Sequence, residues 1–206
     1  MRFSRRLAIV AQLTAAIWAA FLPQFALAYD HPLSDEAVRD AYFIGQDVKN
    51  VTQFLSPYVQ SFPVPDSGPQ VAEIALSTPY AQVVEVSAQH SVGYSAGQAA
   101  EDYRKRGDVI AVRVKVLFTP TYPDPGDDFW RTVSVTLIQK KPMGATHVSG
   151  EPIYLYGSPG DGAVSIGANV YVQFSLAGVK SNSVQVDVRA PGGDTVHATF
   201  DLSSLR

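Results

Sequence analysis

Apolar and polar residues alternate along most of the second half of the chain. Between residues 110 and 118, valine, isoleucine and phenylalanine occupy every second position, and Arg113 and Lys115 stand between them. A period of two residues is typical of a β-strand that buries one face. The same period recurs over residues 133–137, 168–176, 184–189 and 196–201. The pattern predicts a strand-rich region in which each strand has one apolar and one polar face.

The segment APGGD, residues 190–194, separates the last two of these strands. Proline and two glycines between alternating runs predict a hairpin turn. We therefore expect the final three strands to form an antiparallel meander. Strands with one polar face each favour an Ig-like β-sandwich over a parallel sheet.

Helical spacing replaces this alternation in two stretches of the first half. Ser34 precedes two acidic residues and an apolar pattern over residues 37–55 that recurs every three or four positions. Ser95 and Gln98 form the S-x-x-Q capping box, and Gly107 follows three cationic residues, as at a helix C-terminus. The sequence thus predicts a helical segment after Ser34 and a helix over residues 96–106.

The stretch between these helices leaves one alternative open. Residues 72–76 alternate like a short strand. Thr78 and Pro79 are suited to be the cap and first residue of a helix over residues 79–89. The valines at 83, 84 and 86 favour a second strand equally well.

Together these patterns predict an α+β protein with N-terminal helices packed on a C-terminal antiparallel Ig-like β-sandwich. We divide the chain into a signal peptide (1–28), a helical or mixed region (29–107) and the sandwich (108–206).

The division begins with a leader pattern. Arg2, Arg5 and Arg6 precede an apolar run over residues 7–22, and Ala26-Leu27-Ala28 matches an A-x-A cleavage site. An uncleaved membrane anchor is the alternative, but Gln12, Thr14 and Pro23 suit a bilayer poorly. We expect export to the periplasm or the extracellular space, with no membrane span after cleavage.

Composition excludes several kinds of site. The chain has no cysteine, so it has no disulfide, thiolate nucleophile or cysteine-ligated zinc. Its formal net charge of −3 gives no basic surface for nucleic acid. No cofactor is expected.

Ser95 raises the question of catalysis because Gly93-Tyr94-Ser95-Ala96-Gly97 matches G-x-S-x-G, the nucleophile elbow of serine hydrolases. That motif needs a preceding strand and a downstream acid and histidine on β/α units. The downstream histidines, His147 and His197, lie instead in the strand-rich region. Ser95 is therefore interpreted first as a helix cap, with the hydrolase as the alternative.

Asp124, Asp127 and Asp128 cluster in the segment TYPDPGDDFW, residues 121–130. Clustered carboxylates in a loop are candidate calcium ligands, but their spacing does not match an EF-hand. A solvated, proline-stiffened connection between two strands is the simpler interpretation.

Three stretches carry a family resemblance: HPLSDEAVRDAYFIGQD at 31–47, LSTPYAQVVEVS at 76–87 and YSAGQAAEDYRKR at 94–106. Together they resemble a group of exported bacterial proteins of unknown function. The resemblance covers the N-terminal half of the mature chain. It implies a location in the bacterial envelope and no particular activity.

We therefore expect an exported, non-catalytic binding or accessory protein whose partner is another envelope protein or a surface glycan. Two alternatives remain: a secreted serine hydrolase that uses Ser95, and a glycan- or calcium-binding module that uses the aspartates or surface tyrosines.

Overall fold

A computed structural model describes residues 32–65, 68–90, 92–119, 122, 126–157 and 162–206. The expected signal peptide lies outside these residues. The described chain is a mixed α+β structure with four α-helices and two antiparallel sheets of nine strands in all. None of the helices in these ranges is long and apolar enough to cross a membrane.

The larger sheet has five strands in the order β1-β2-β3-β7-β6. Its members are β1 (Val59–Ser61), β2 (Pro69–Ser77), β3 (Val109–Phe118), β6 (His147–Tyr156) and β7 (Ala163–Ser175). The smaller sheet has the order β5-β4-β8-β9. It consists of β4 (Ser134–Ile138), β5 (Pro142–Met143), β8 (Ser183–Arg189) and β9 (Thr195–Asp201).

Both sheets contribute their apolar faces to one hydrophobic core. On β3, Ile110, Val112, Val114 and Val116 are almost completely buried, as the alternation predicts. They pack in the same cluster as alternate residues of the smaller sheet, including Val184, Val186 and Leu137. The polar positions of each strand therefore lie on the outer faces of the two sheets.

The expected meander of the last three strands is wrong. β7 pairs with β3 and β6, whereas β8 pairs with β4 and β9. A 3-10 turn at Leu176–Gly178 follows β7, and the chain then enters the other sheet. The hairpin between β8 and β9 is confirmed, because a local turn fixes it.

The helices are α1 (Asp35–Gly45), α2 (Val48–Leu55), α3 (Pro79–Gln89) and α4 (Ala96–Arg106). The apolar pattern of residues 37–55 is thus divided between two helices. The break falls at Asp47, whose side chain accepts a hydrogen bond from Lys49 N and caps α2.

Residues 79–89, for which the sequence left helix and strand open, form the helix α3. Thr78 Oγ1 accepts a hydrogen bond from Ala81 N at 3.3 Å, and Pro79 occupies the first helical turn. Of the valines that favoured a strand, Val83 and Val84 are instead buried, because α1, α2 and α4 pack around α3 in a second apolar cluster. Gly45 makes this packing possible: a Cβ there would lie 2.5 Å from Val84 O.

Strands also occur before residue 108, the predicted start of the sandwich. β1 and β2 precede it, and β2 pairs with β3 along its whole length. The helices α3 and α4 lie in the chain between these two paired strands. The helical cluster and the sheets are therefore interleaved in sequence.

Candidate functional site

A groove of about 820 Å³ lies between the helices α2 and α3 and the outer face of the five-stranded sheet. Its walls include Val51 and Leu55 of α2 and Glu85 and Ala88 of α3. This volume is within the range of small-molecule sites in proteins.

The floor of the groove consists of two rows of outward-facing residues across β2, β3 and β7. In one row, Ala75 on β2, Arg113 on β3 and Tyr171 on β7 are cross-strand neighbours. In the next row, Ser77, Ala111 and Gln173 are neighbours on the same three strands. These residues face outward because their neighbours along each strand are the buried core residues. The floor therefore carries the polar groups of Ser77, Arg113, Tyr171 and Gln173 beside two alanines.

Glu85 brings a carboxyl group into the groove from α3. Its Oε1 accepts a hydrogen bond of 2.9 Å from the hydroxyl of Ser77. Burial raises the pKa of Glu85, although the bond from Ser77 and the charges of Arg113 and Arg106 offset part of the rise. The second carboxyl oxygen accepts no hydrogen bond from the described residues.

Arg113 supplies the cationic side of the groove. Its Nη2 lies 2.8 Å from Glu73 Oε1, in an ion pair between neighbouring strands. Tyr171, directly opposite Arg113 on β7, donates a hydrogen bond of 2.8 Å to Glu151. Burial and the hydrogen bond to Glu151 raise the pKa of Tyr171, while the charge of Arg113 lowers it.

Tyr58 closes the groove near its helical wall. Its hydroxyl donates to the backbone oxygen of Arg206 at 3.1 Å and accepts from Arg206 N at 2.9 Å. Thr78 donates a further hydrogen bond to the same backbone oxygen. This side of the groove is therefore held by the segment that follows β9.

Ser95, the candidate nucleophile, lies outside this groove at the start of α4. Its hydroxyl accepts from Gln98 N and donates to Gln98 Oε1, and Gln98 Oε1 also accepts from Ser95 N. The predicted capping box and helix are confirmed. Gly107 ends the helix at a φ of 76°, a backbone conformation that favours glycine.

The candidate calcium residues are separately engaged. Asp127 accepts a hydrogen bond of 2.6 Å from Tyr154, and Asp128 pairs with Arg131 at 2.9 Å. Asp124 lies outside the described residues. Within the described ranges, no group of three or more acidic or histidine side chains is placed to hold a metal ion.

The three histidines among the described residues have separate environments. His90 stacks on Tyr94 with ring centroids 5.0 Å apart. His147 begins β6, and His197 Nδ1 lies 2.7 Å from Asp187 on the outer face of the smaller sheet. The described hydrogen bonds of Ser95 include none to a histidine.

Comparison with known proteins adds no family. The chain matches no protein-family model, and a search of the curated proteins returns no match.

The sequence patterns do not identify the groove residues as candidate site residues. Alternation along β3 and β7 predicts that Arg113, Tyr171 and Gln173 point away from the core. Their assembly with Glu85 depends on which strands pair and on α3 being a helix. Neither was given by local sequence patterns.

Proposed function

We propose that this chain is an exported, non-catalytic binding protein and that the groove between α2, α3 and the five-stranded sheet holds its ligand. The observation that carries the proposal is the lining of the groove. It combines apolar walls with a few converging polar groups, as ligand sites do. Its charged groups, Glu85 and Arg113, each retain hydrogen-bonding capacity that no described residue uses.

Binding is favoured over catalysis because the polar groups of the groove are held in structural pairs. The Ser77 hydroxyl donates a hydrogen bond to Glu85, and Arg113 pairs with Glu73. Activation of a serine as a nucleophile needs an adjacent base that takes its proton and a second group that orients that base. Glu85, the group that accepts the Ser77 bond, has no such orienting partner among the described residues.

Export is supported by the arginine-rich start, the apolar run and the A-x-A pattern of residues 1–28. The absence of cysteine is compatible with an exported protein that is held together by its core. We place the protein in the periplasm or outside the cell.

An Ig-like topology is part of the same proposal. If β2 to β9 are named A, B, C, C′, D, E, F and G, the two sheets become A-B-E-D and C′-C-F-G. These are the sheet orders of immunoglobulin-type sandwiches with one additional C′ strand. On this assignment β1 is an added edge strand, and α3 and α4 form an insertion between strands A and B.

Site-specific photo-crosslinking in cells tests the binding proposal. A photoreactive phenylalanine analogue at Gln89 places the probe in the groove lining, whereas the same analogue at Gln53 places it on α2 outside the lining. Both glutamines are exposed on helices that border the groove. We expect an adduct of defined mass at Gln89 and none at Gln53. Equal labelling at both positions, or none at either, contradicts the proposal.

A further inference from the structure

The charged groups of the groove point to a more specific ligand, on the basis that the groove is a binding site as proposed above. Glu85 and Arg113 both line the groove and interact electrostatically with each other. Each is engaged on one side only: Glu85 through Oε1 with Ser77, and Arg113 through Nη2 with Glu73. One carboxyl oxygen and the remaining N–H groups of the guanidinium have no partner among the described residues.

We propose that the groove binds a short peptide with free termini, whose ammonium group meets Glu85 and whose carboxylate meets Arg113. An ammonium donates hydrogen bonds and a carboxylate accepts them, so each terminus matches the unused capacity of one groove residue. Charge-assisted hydrogen bonds of this kind are the strong ones in proteins.

The remaining lining fits the body of such a ligand. Val51, Leu55 and Val59 present apolar surface for side chains. Gln89 and Gln173 carry amides that are able to donate to and accept from peptide groups. A two-residue peptide spans about 7 Å when extended, which the groove volume accommodates.

The charges around the groove favour a zwitterion over a singly charged ligand. Glu85 and Glu73 are balanced by Arg113 and by Arg106, which also acts on Glu85. The local surroundings are therefore formally neutral and contain charges of both signs. A ligand with one charge of either sign is attracted by one of these two groove residues, Glu85 or Arg113, and repelled by the other.

Three probes with the same two side chains test the proposal: Leu-Leu, N-acetyl-Leu-Leu and Leu-Leu amide. Binding to the full chain is measured by chemical-shift titration of backbone amides, with Ala88 and Ala111 reporting on the groove. We expect each capped peptide to bind about tenfold more weakly than Leu-Leu, because one charge-assisted hydrogen bond is lost.

Matched variants test which groove residue binds each terminus of the peptide. Glu85→Gln keeps the shape and should abolish the preference for the free amino terminus while keeping that for the free carboxylate. The double variant Glu73→Gln/Arg113→Gln should abolish the preference for the free carboxylate while keeping that for the free amino terminus. Glu73 is changed together with Arg113 so that its carboxylate is not left without its ion-pair partner. Glu101→Gln on the exposed surface of α4 makes the same change of charge and should leave all three affinities unaltered.

Equal binding of free and capped peptides, or an unchanged preference in Glu85→Gln, overturns the proposal. Absence of any binding by Leu-Leu also overturns it. If the Gln89 crosslink persists in that case, the groove remains a binding site for a ligand of different chemistry, so the two proposals fail separately.

Discussion

Ser77, the last residue of β2, donates a hydrogen bond of 2.9 Å to Glu85 on α3. The bond crosses the turn at which Thr78 caps the helix, so the strand end, the cap and the carboxyl group form one local unit. This unit places Glu85 over the polar floor of the groove, opposite Arg113. The proposed binding of a ligand in the groove depends on that placement.

Burial of Glu85 predicts a specific pH dependence of stability. Because its pKa is raised above 4.5 in the folded protein, the folded state retains a proton at Glu85 that the unfolded state releases. The wild type should therefore lose stability as pH rises from about 4.5 through the folded pKa. Glu85→Gln, which cannot ionise, should lose less over the same window.

Chemical denaturation of both proteins between pH 4.5 and 8 measures this difference. The charged groups that face Glu85 are Arg113 from β3 and Arg106 from α4, and Tyr58 lies within electrostatic range. A free-energy difference between wild type and variant that does not change with pH would show that Glu85 is solvated like a surface carboxylate.

Gly45 should tolerate no larger residue, because α1 and α3 approach closely there. A Cβ at this position would lie 2.5 Å from Val84 O and 2.6 Å from Ser87 Cβ. We expect Gly45→Ala to lower the free energy of unfolding by about 1–3 kcal/mol. Gly97→Ala is the matched control, since its Cβ would lie 3.7 Å from the nearest atom, Ser95 Oγ.

The control substitution at Gly97 should instead stabilise α4 by about 0.5–1 kcal/mol, through the better helix propensity of alanine. Urea denaturation of the two variants under the same conditions gives both values. Similar effects of the same sign at both positions would contradict the close packing of α1 on α3.

Ser95 should behave as a helix cap. Ser95→Ala removes the hydroxyl that accepts from Gln98 N, and should destabilise the protein by about 1 kcal/mol. Ser95→Asp keeps a capping oxygen and should retain most of the stability. A serine-directed fluorophosphonate should label neither wild type nor variant. Labelling that disappears in Ser95→Ala would restore the hydrolase alternative.

Tyr103 should make stability sensitive to alkaline pH. Burial and the hydrogen bond to Asp108 raise its pKa to about 12, from an ordinary value of 10.0. Its contribution is therefore fully present below pH 10 and is lost as pH rises through about 12. Wild type should lose stability more steeply than Tyr103→Phe between these values, as measured by denaturation at each pH.

The local signals in the sequence predict the helix ends well. Ser34, Ser95 and Gly107 each act within a few residues of the chain, and the structure has the corresponding caps. Thr78 marked a helix start only as one of two alternatives, of which the structure has the helix. Alternation likewise predicts the burial of β3, because the identity of every second residue determines which face is apolar.

Long-range pairing explains what the sequence could not predict. The alternation of β7 is the same whether the strand pairs with β8 or with β3, so the meander was wrong. β6 was missed, since Gly150 and Pro152 interrupt its pattern. The groove follows from these pairings: Arg113 and Tyr171 are adjacent only because β3 and β7 are neighbours.

The most direct test of the central claim combines groove occlusion with the crosslink at Gln89. Ala111→Phe fills the floor of the groove, whereas Ala163→Phe adds the same side chain at an exposed end of β7, away from the lining. If the groove holds the ligand, the Gln89 adduct should be lost in Ala111→Phe and retained in Ala163→Phe, with both variants folded. An adduct that persists in Ala111→Phe at the level of the control would contradict the claim.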